Sequence, residues 1–217
     1  MDVHLSLFPL PNVVFFPHTT LPLHIFEPRY RQMVADCLNA DKRLAVVLLK
    51  PGWEADYYGR PPVYPVAGAG EITQWERLPD GRYNILLRGL GRILIDGEAP
   101  SERPYRIANA HWLDDVHPPG GEQGLAPQME QLRHVLGQLL SQLPQPVPRL
   151  LEVLTDRNHP GALVDRIASV VTGEVDRRQS LLETLDVAGR MAEVTEYLQE
   201  VLSQRVVSNP RWQAKWN

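Results

Sequence analysis

The chain has one cysteine, Cys37, and seven histidines. A nucleophile–base pair can be drawn between Cys37 and His24. However, Tyr30, Met33, Val34, Cys37 and Leu38 recur at helical spacing and make one apolar face. A free cysteine on such a face behaves as a small core residue, whereas a reactive thiol needs exposure and a lowered pKa. His111, Asp114, Asp115 and His117 form a local cluster of potential metal ligands. Their spacing fits no strong ligand pattern, so a solvated strand end running into a linker is expected. Gly68, Gly70, Gly89 and Gly91 give two G-x-G pieces, neither continuing to a third glycine that opens a helix. Strand bends or bulges are expected there, not a dinucleotide site.

Other catalytic patterns are missing from the sequence. No glycine precedes a lysine, which excludes the phosphate-cradling Walker A loop. There is no G-x-S-x-G elbow and no S-x-x-K pair. Lys42, Lys50 and Lys215 are the only lysines, and none lies in a segment with the character of a buried active site. No catalytic residue, cofactor or metal is therefore expected.

Of the 217 residues, 43 % are hydrophobic and 22 % charged, an ordinary globular balance. The net charge of −4 lacks the basic surplus that supplies most nucleic-acid affinity. The start, Met1-Asp2-Val3-His4, has neither the basic residues nor the apolar run of a signal peptide. The longest clean apolar run, Leu44–Leu49, is too short to span a bilayer. A soluble, cytoplasmic protein is expected, with neither nucleic acid nor membrane as partner.

Positioning elements follow from periodicity. Residues 1–114 hold short apolar runs broken by Pro and Gly, residues 115–126 have linker composition, and residues 127–217 carry helical periodicity. Strands are expected at Leu5–Phe8, Val13–Phe16, Leu44–Leu49, Val63–Val66, Gly70–Glu76, Tyr83–Leu87, Arg92–Asp96 and Tyr105–Trp112. Pro79-Asp80-Gly81 predicts a hairpin turn. Pro28 opens one inserted helix, with Glu27 placed to meet its free N–H groups. In the second part, Met129–Leu143 reads as a helix ended by Pro144, Pro146 and Pro148. Further helices follow near Leu150–Leu154, after Pro160, near Gln179–Leu185, and after Asp186 as N-cap. The fold class is α+β: a small β barrel or sandwich followed by an α-helical bundle.

The segment Leu7-Phe8-Pro9-Leu10-Pro11-Asn12-Val13-Val14-Phe15-Phe16-Pro17, then Leu21-Pro22-Leu23-His24-Ile25-Phe26-Glu27-Pro28-Arg29-Tyr30, resembles the opening of the Lon protease N-terminal, substrate-binding domain. The likeness continues at Gly68–Ile72, Pro79–Tyr83, Gly89–Ile93, Leu163–Ala168 and Gln179–Val187. It implies a twisted β domain of the PUA-like pseudobarrel kind, then a helical bundle. It also implies recognition of protein substrates. Motor and serine–lysine protease segments do not appear before Asn217, so polypeptide binding without turnover is the function expected. Partners would be polypeptide segments or a protease-system protein. In the family motif, Phe26 is expected in the core, Glu27 at the helix start and Arg29 in a local pair. PUA-like folds also leave an RNA-binding reading open, and Cys37 leaves a hydrolase reading open.

Two segments could contact a partner. Trp53, Tyr57 and Tyr58 lie in a Gly- and Pro-flanked loop, and aromatics dominate interface energetics. Tyr57 and Tyr58 are expected to be exposed, while Trp53 either joins them or folds back onto the sheet. Trp212 and Trp216 would share one face of a terminal helix, docking on the body, another copy or a partner.

Overall fold

A computed structural model describes residues 2–143, 145, 147–155, 159–171 and 173–203. Trp212 and Trp216 lie outside the described residues, as do Pro144 and Pro146. The chain divides at Asp114/Asp115 into two compact units.

Period-two alternation builds the first unit. Leu44 and Val46 face one apolar cluster while Ala45 and Val47 face another, as neighbouring side chains on a strand must. The strands are β1 (Asp2–Leu10), β2 (Thr20–Ile25), β3 (Arg43–Leu48), β4 (Val66–Arg77), β5 (Tyr83–Glu98) and β6 (Arg106–Leu113). They form a mixed sheet in the order β2-β5-β4-β3-β1-β6, and β5 also pairs with β6. Among the described strands the only parallel pair is β1–β3, whose connection carries β2 and helix α1 (Pro28–Leu38). The expected pseudobarrel is a coiled mixed sheet of six strands, in which β5 pairs with β6 as well as with β2 and β4. Five of the nine buried residues in one cluster are alanine. The other cluster holds Phe8, Tyr30, Met33, Leu44 and Tyr105, with α1 packed into it.

Several expected strands are corrected. Val13–Phe16 is not a strand; it crosses closely over β4 and β5. A Cβ on Gly68 would lie 1.8 Å from the Phe15 carbonyl oxygen, and one on Gly89 2.2 Å from that of Phe16. These glycines exist for that approach. Next to Gly68, Ala69 pairs with Gly91 and Gly70 with Gly89, so Leu90 is bulged out and β5 runs unbroken where two strands were expected. Val63–Val66 contributes only a bridge from Val63 to Leu49 before β4 begins. β2 was missed because it contains Pro22, a residue the sheet accepts only where no ladder N–H is needed. β2 pairs with β5 alone, as such an edge position requires. The β4–β5 hairpin forms as expected: Gly81 takes φ 83°, and Asp80 Oδ1 accepts the Arg82 N–H at 3.0 Å.

The second unit holds α2 (Ala126–Ser141), α3 (Pro148–Thr155), α4 (Pro160–Val171), α5 (Val175–Glu183) and α6 (Val187–Ser203). Asp186 caps α6 as expected, accepting from Ala188 N and Gly189 N at 3.1 Å each. Arg190, fully buried, is the polar centre of this unit. It grips both Asp115 oxygens at 2.8 and 2.7 Å and donates to the Thr184 carbonyl at 2.8 Å. Its Nε lies 3.4 Å from the buried Asp165. Residues of linker composition are thereby ordered: Val116 N donates to Leu185 O at 2.9 Å and Val187 N to Val116 O at 3.0 Å.

Two stability outcomes follow. Gly68→Ala drives a methyl into the Phe15 carbonyl and is expected to cost about 1–3 kcal/mol in urea denaturation. Arg190→Met removes the cation between two carboxylates and is expected to cost about 3–5 kcal/mol. A loss below about 0.5 kcal/mol in either variant would contradict the packing described.

Candidate functional site

The segment between β3 and β4 has an aromatic start: Gly52 at φ 86° turns the chain into a 3-10 turn, Trp53–Asp56. Edge-on ring contacts then link Trp53 to Tyr57 (5.5 Å) and Tyr57 to Tyr58 (5.1 Å). A short loop would not hold this shape alone. It is pinned by Glu27, the N-cap residue of α1. Contrary to expectation, the Glu27 side chain makes no bond to the helix N–H groups. Pro28 already removes one of those donors, and the carboxylate points to the loop instead. Tyr57 donates its hydroxyl to Glu27 Oε1 at 2.6 Å, and Arg29 donates Nε–H to Oε2 at 3.0 Å. Arg29 therefore pairs locally, as expected.

Arg29 then stacks. Its guanidinium carbon lies 4.6 Å from the Tyr30 ring centroid, 5.1 Å from Tyr57 and 5.8 Å from Tyr58. A guanidinium over a ring face at such distances is attracted by the ring quadrupole. Burial, and then the bond to Glu27, holds the Tyr57 phenol above its usual pKa. It stays protonated and keeps donating. Phe26, expected in the core, is 61 % exposed. Motif residues 26–30 thus spend Glu27 and Arg29 on the loop, and Tyr30 on the core.

Beneath the loop lies a groove of about 270 Å³. Pro9 comes from β1, Tyr30 from α1, Leu49 from just after β3 and Tyr105 from just before β6, and Tyr57 and Tyr58 come from the loop. Arg29, Arg60, Arg103 and Arg106 also line the groove. Each arginine is oriented by a carboxylate outside the lining. Arg106 pairs with Glu98 and donates to the Pro61 carbonyl at 2.8 Å. Arg60 lies 3.7 Å from the same Glu98. Arg103 pairs with Asp36, which also accepts the Tyr105 hydroxyl at 2.6 Å. Among the described residues that line the groove, none carries a carboxylate.

The sequence-derived candidates separate here. Tyr58 is 86 % exposed, Tyr57 is half-buried by its bond, and Trp53 is half-buried against Tyr57. Tyr57 and Tyr58 line the groove, whereas Trp53 braces Tyr57 from outside the lining. The arginines went unnoticed because they come from separate segments, and only Arg29 sits in a recognisable motif. Cys37 is buried, burial pushes its thiol pKa up, and its sulfur meets Ser6 Oγ at 3.6 Å. His24 bonds Asn84 at 2.8 Å instead. The nucleophile pair is not assembled. His111 bonds Asp96 at 2.9 Å and Asp115 is held by Arg190. No metal-holding group of His, Cys, Asp and Glu occurs among the described residues.

Two measurements check this clamp. Glu27→Gln weakens the bonds to Tyr57 and Arg29 and is expected to lower stability by about 1 kcal/mol. Amide exchange of residues 53–60 is expected to rise in that variant, and unchanged exchange would contradict the clamp. Burial pushes the Tyr30 phenol up to about 12 from 10.0. A raised folded pKa gives stability present below the unfolded value and lost as pH climbs through the folded one. The wild type is therefore expected to lose about 2 kcal/mol more than Tyr30→Phe between these two pH values.

The profile of the ATP-dependent protease La (LON) substrate-binding domain matches residues 4–200. Lon protease 2 of Myxococcus xanthus is 29 % identical over 196 residues, covering 89 % of this chain and 23 % of that protein. Lon protease 2 of Sorangium cellulosum is 30 % identical over 193 residues, covering 85 % and 23 %. The chain thus spans about a quarter of the length of these relatives. In fold, it is similar to the N-terminal domain of the Mycobacterium avium complex Lon protease (TM-score 0.67, 17 % identity, 91 % of this chain and 98 % of that one). A Lon N-terminal domain protein from Xanthomonas campestris is also similar (TM-score 0.61, 21 % identity, 88 % and 96 %). The match falls on the substrate-binding region, not on a protease domain, and on that ground this chain belongs to the Lon substrate-binding domain family.

Proposed function

We propose that the chain is a non-catalytic substrate-recognition module that holds polypeptide segments in the groove under the Trp53–Tyr58 loop. The observation that carries this reading is the clamp itself. An exposed tyrosine beside a groove is ordinarily a mobile side chain. Here the loop carrying Tyr58 is fastened by Glu27, Arg29 and Tyr57 before any partner arrives. Preorganised aromatic surface binds with little ordering cost, and tyrosine offers large area with few rotatable bonds. Tyr57, Tyr58 and the exposed guanidinium groups of Arg60 and Arg103 suit an extended chain, which presents both apolar side chains and peptide carbonyls.

The partners are polypeptide segments or a component of a protease system, and the compartment is the cytoplasm. No helix among the described residues is long and apolar enough to cross a membrane. The family match to a substrate-binding domain supports recognition. The buried Cys37 leaves the one thiol unsuited to attack.

The test is fluorescence anisotropy with a fluorescein-labelled, permanently unfolded polypeptide. Tyr58→Ala is expected to weaken binding by roughly tenfold, about 1.4 kcal/mol. Its melting temperature is expected to hold, because the ring is largely in solvent. Trp53→Ala is expected to weaken binding less and to loosen the loop. Equal binding by wild type and Tyr58→Ala, or hydrolysis of ATP or of the polypeptide by the purified chain, would overturn the reading.

A further inference from the structure

The groove has a chemical bias that general polypeptide binding does not require. Four arginines line it, and no described lining residue bears a negative charge, although the whole chain carries a net charge of −4. Arginine is concentrated here against the overall balance.

How those arginines are held narrows what they can take. Arg29 and Arg106 are mostly buried, at 18 % and 10 % side-chain exposure, and are occupied by Glu27 and Glu98. Arg60 and Arg103 differ. Their side chains are 59 % and 51 % exposed. Arg60 has only a long 3.7 Å approach to Glu98. Arg103 spends one nitrogen, Nη1, on both Asp36 and Tyr105. A guanidinium has five N–H donors in a planar fork. Arg60 and Arg103 lie on separate segments, one after the aromatic loop and one before β6, and both line the groove.

We propose that the groove selects polypeptide segments bearing acidic side chains next to an aromatic or aliphatic residue, with Arg60 and Arg103 taking the carboxylates and Tyr58 the apolar neighbour. This rests on the polypeptide-binding reading above and adds the substrate class. The charge count favours a sparsely charged chain over a nucleic-acid backbone. Behind the four arginines stand Glu27, Glu98 and Asp36, and Asp56 accepts the Arg60 backbone N–H at 3.2 Å, so four cations face four carboxylates just outside the lining. A sparse pair of carboxylates needs only the exposed guanidinium groups of Arg60 and Arg103. A run of phosphates would also meet the four carboxylates just behind the rim, and phosphate binding needs an excess of cations.

The experiment uses the full chain and four fluorescein-labelled probes read by anisotropy at low and moderate salt. The first is a short peptide with glutamates flanking a leucine–phenylalanine pair. The second replaces each glutamate by glutamine, the third replaces each by lysine, and the fourth is a single-stranded RNA. The expected order is acidic peptide tightest, the glutamine peptide weaker by at least about fivefold, and the lysine peptide weaker still. Arg60→Gln with Arg103→Gln is expected to erase the difference between acidic and glutamine peptides. It leaves glutamine-peptide binding intact, which also shows that the variant is folded. Equal affinity for the acidic and glutamine peptides would overturn this inference while leaving polypeptide binding standing. No affinity for any peptide would overturn both. RNA bound more tightly than the acidic peptide would overturn it in favour of a nucleic-acid groove.

Discussion

The groove of the first unit depends on one carboxylate. Glu27 sits at the junction between an edge strand and a helix, and each of its two oxygens accepts one charged or polar donor. Remove it, and Tyr57 loses the bond that fixes its ring while Arg29 loses the partner that aims it across three tyrosines. Such charge-assisted bonds are shorter and stronger than neutral ones. Partial burial of both partners, 17 % and 18 % exposed, shields them from water and salt. The carboxylate is free for this work because Pro28 has already dealt with part of the helix start.

The sheet provides the counterpart. Its tight coil needs small residues inside, and the alanines at positions 45, 67, 69, 108 and 110 supply them. Coiling also needs β5 to pair with three strands: β4 along one edge from Tyr83 to Leu94, and along the other edge first β2 and then β6. The bulge at Leu90 lies where that second edge passes from β2 to β6. That passage brings β6 and the Arg103–Tyr105 segment to the same groove as the loop after β3. The second unit is organised differently, around a buried arginine between two aspartates. A buried ionic centre of this kind adds little net stability over an apolar one, yet it is costly to break.

How much of this could be read from residues alone varied by element. The opening of α1 at Pro28, the Pro79–Gly81 hairpin and the Asp186 cap each carry a local rule, and each formed as expected. β2 was hidden by Pro22, because the proline rule cannot tell an edge strand from a loop. Val13–Phe16 has strand composition, but its backbone is needed to cross the sheet over two glycines. The family resemblance was legible in the 7–30 segment, although the local roles read into it were not. Phe26 faces solvent, and Glu27 reaches 30 positions along the chain to Tyr57. Nothing in the spacing of residues signals such a bond. The groove arginines were invisible for the same reason, since Arg60, Arg103 and Arg106 share a wall only after the sheet has coiled.

The most direct measurement is an amide and arginine side-chain NMR titration of the isotopically labelled chain with an unlabelled, permanently unfolded polypeptide. The account predicts shifts concentrated at Arg29, Tyr57, Tyr58, Arg60 and Arg103, with the Arg190 side chain silent. Shifts confined to the helical unit, or spread along β2 with the groove unaffected, would contradict it.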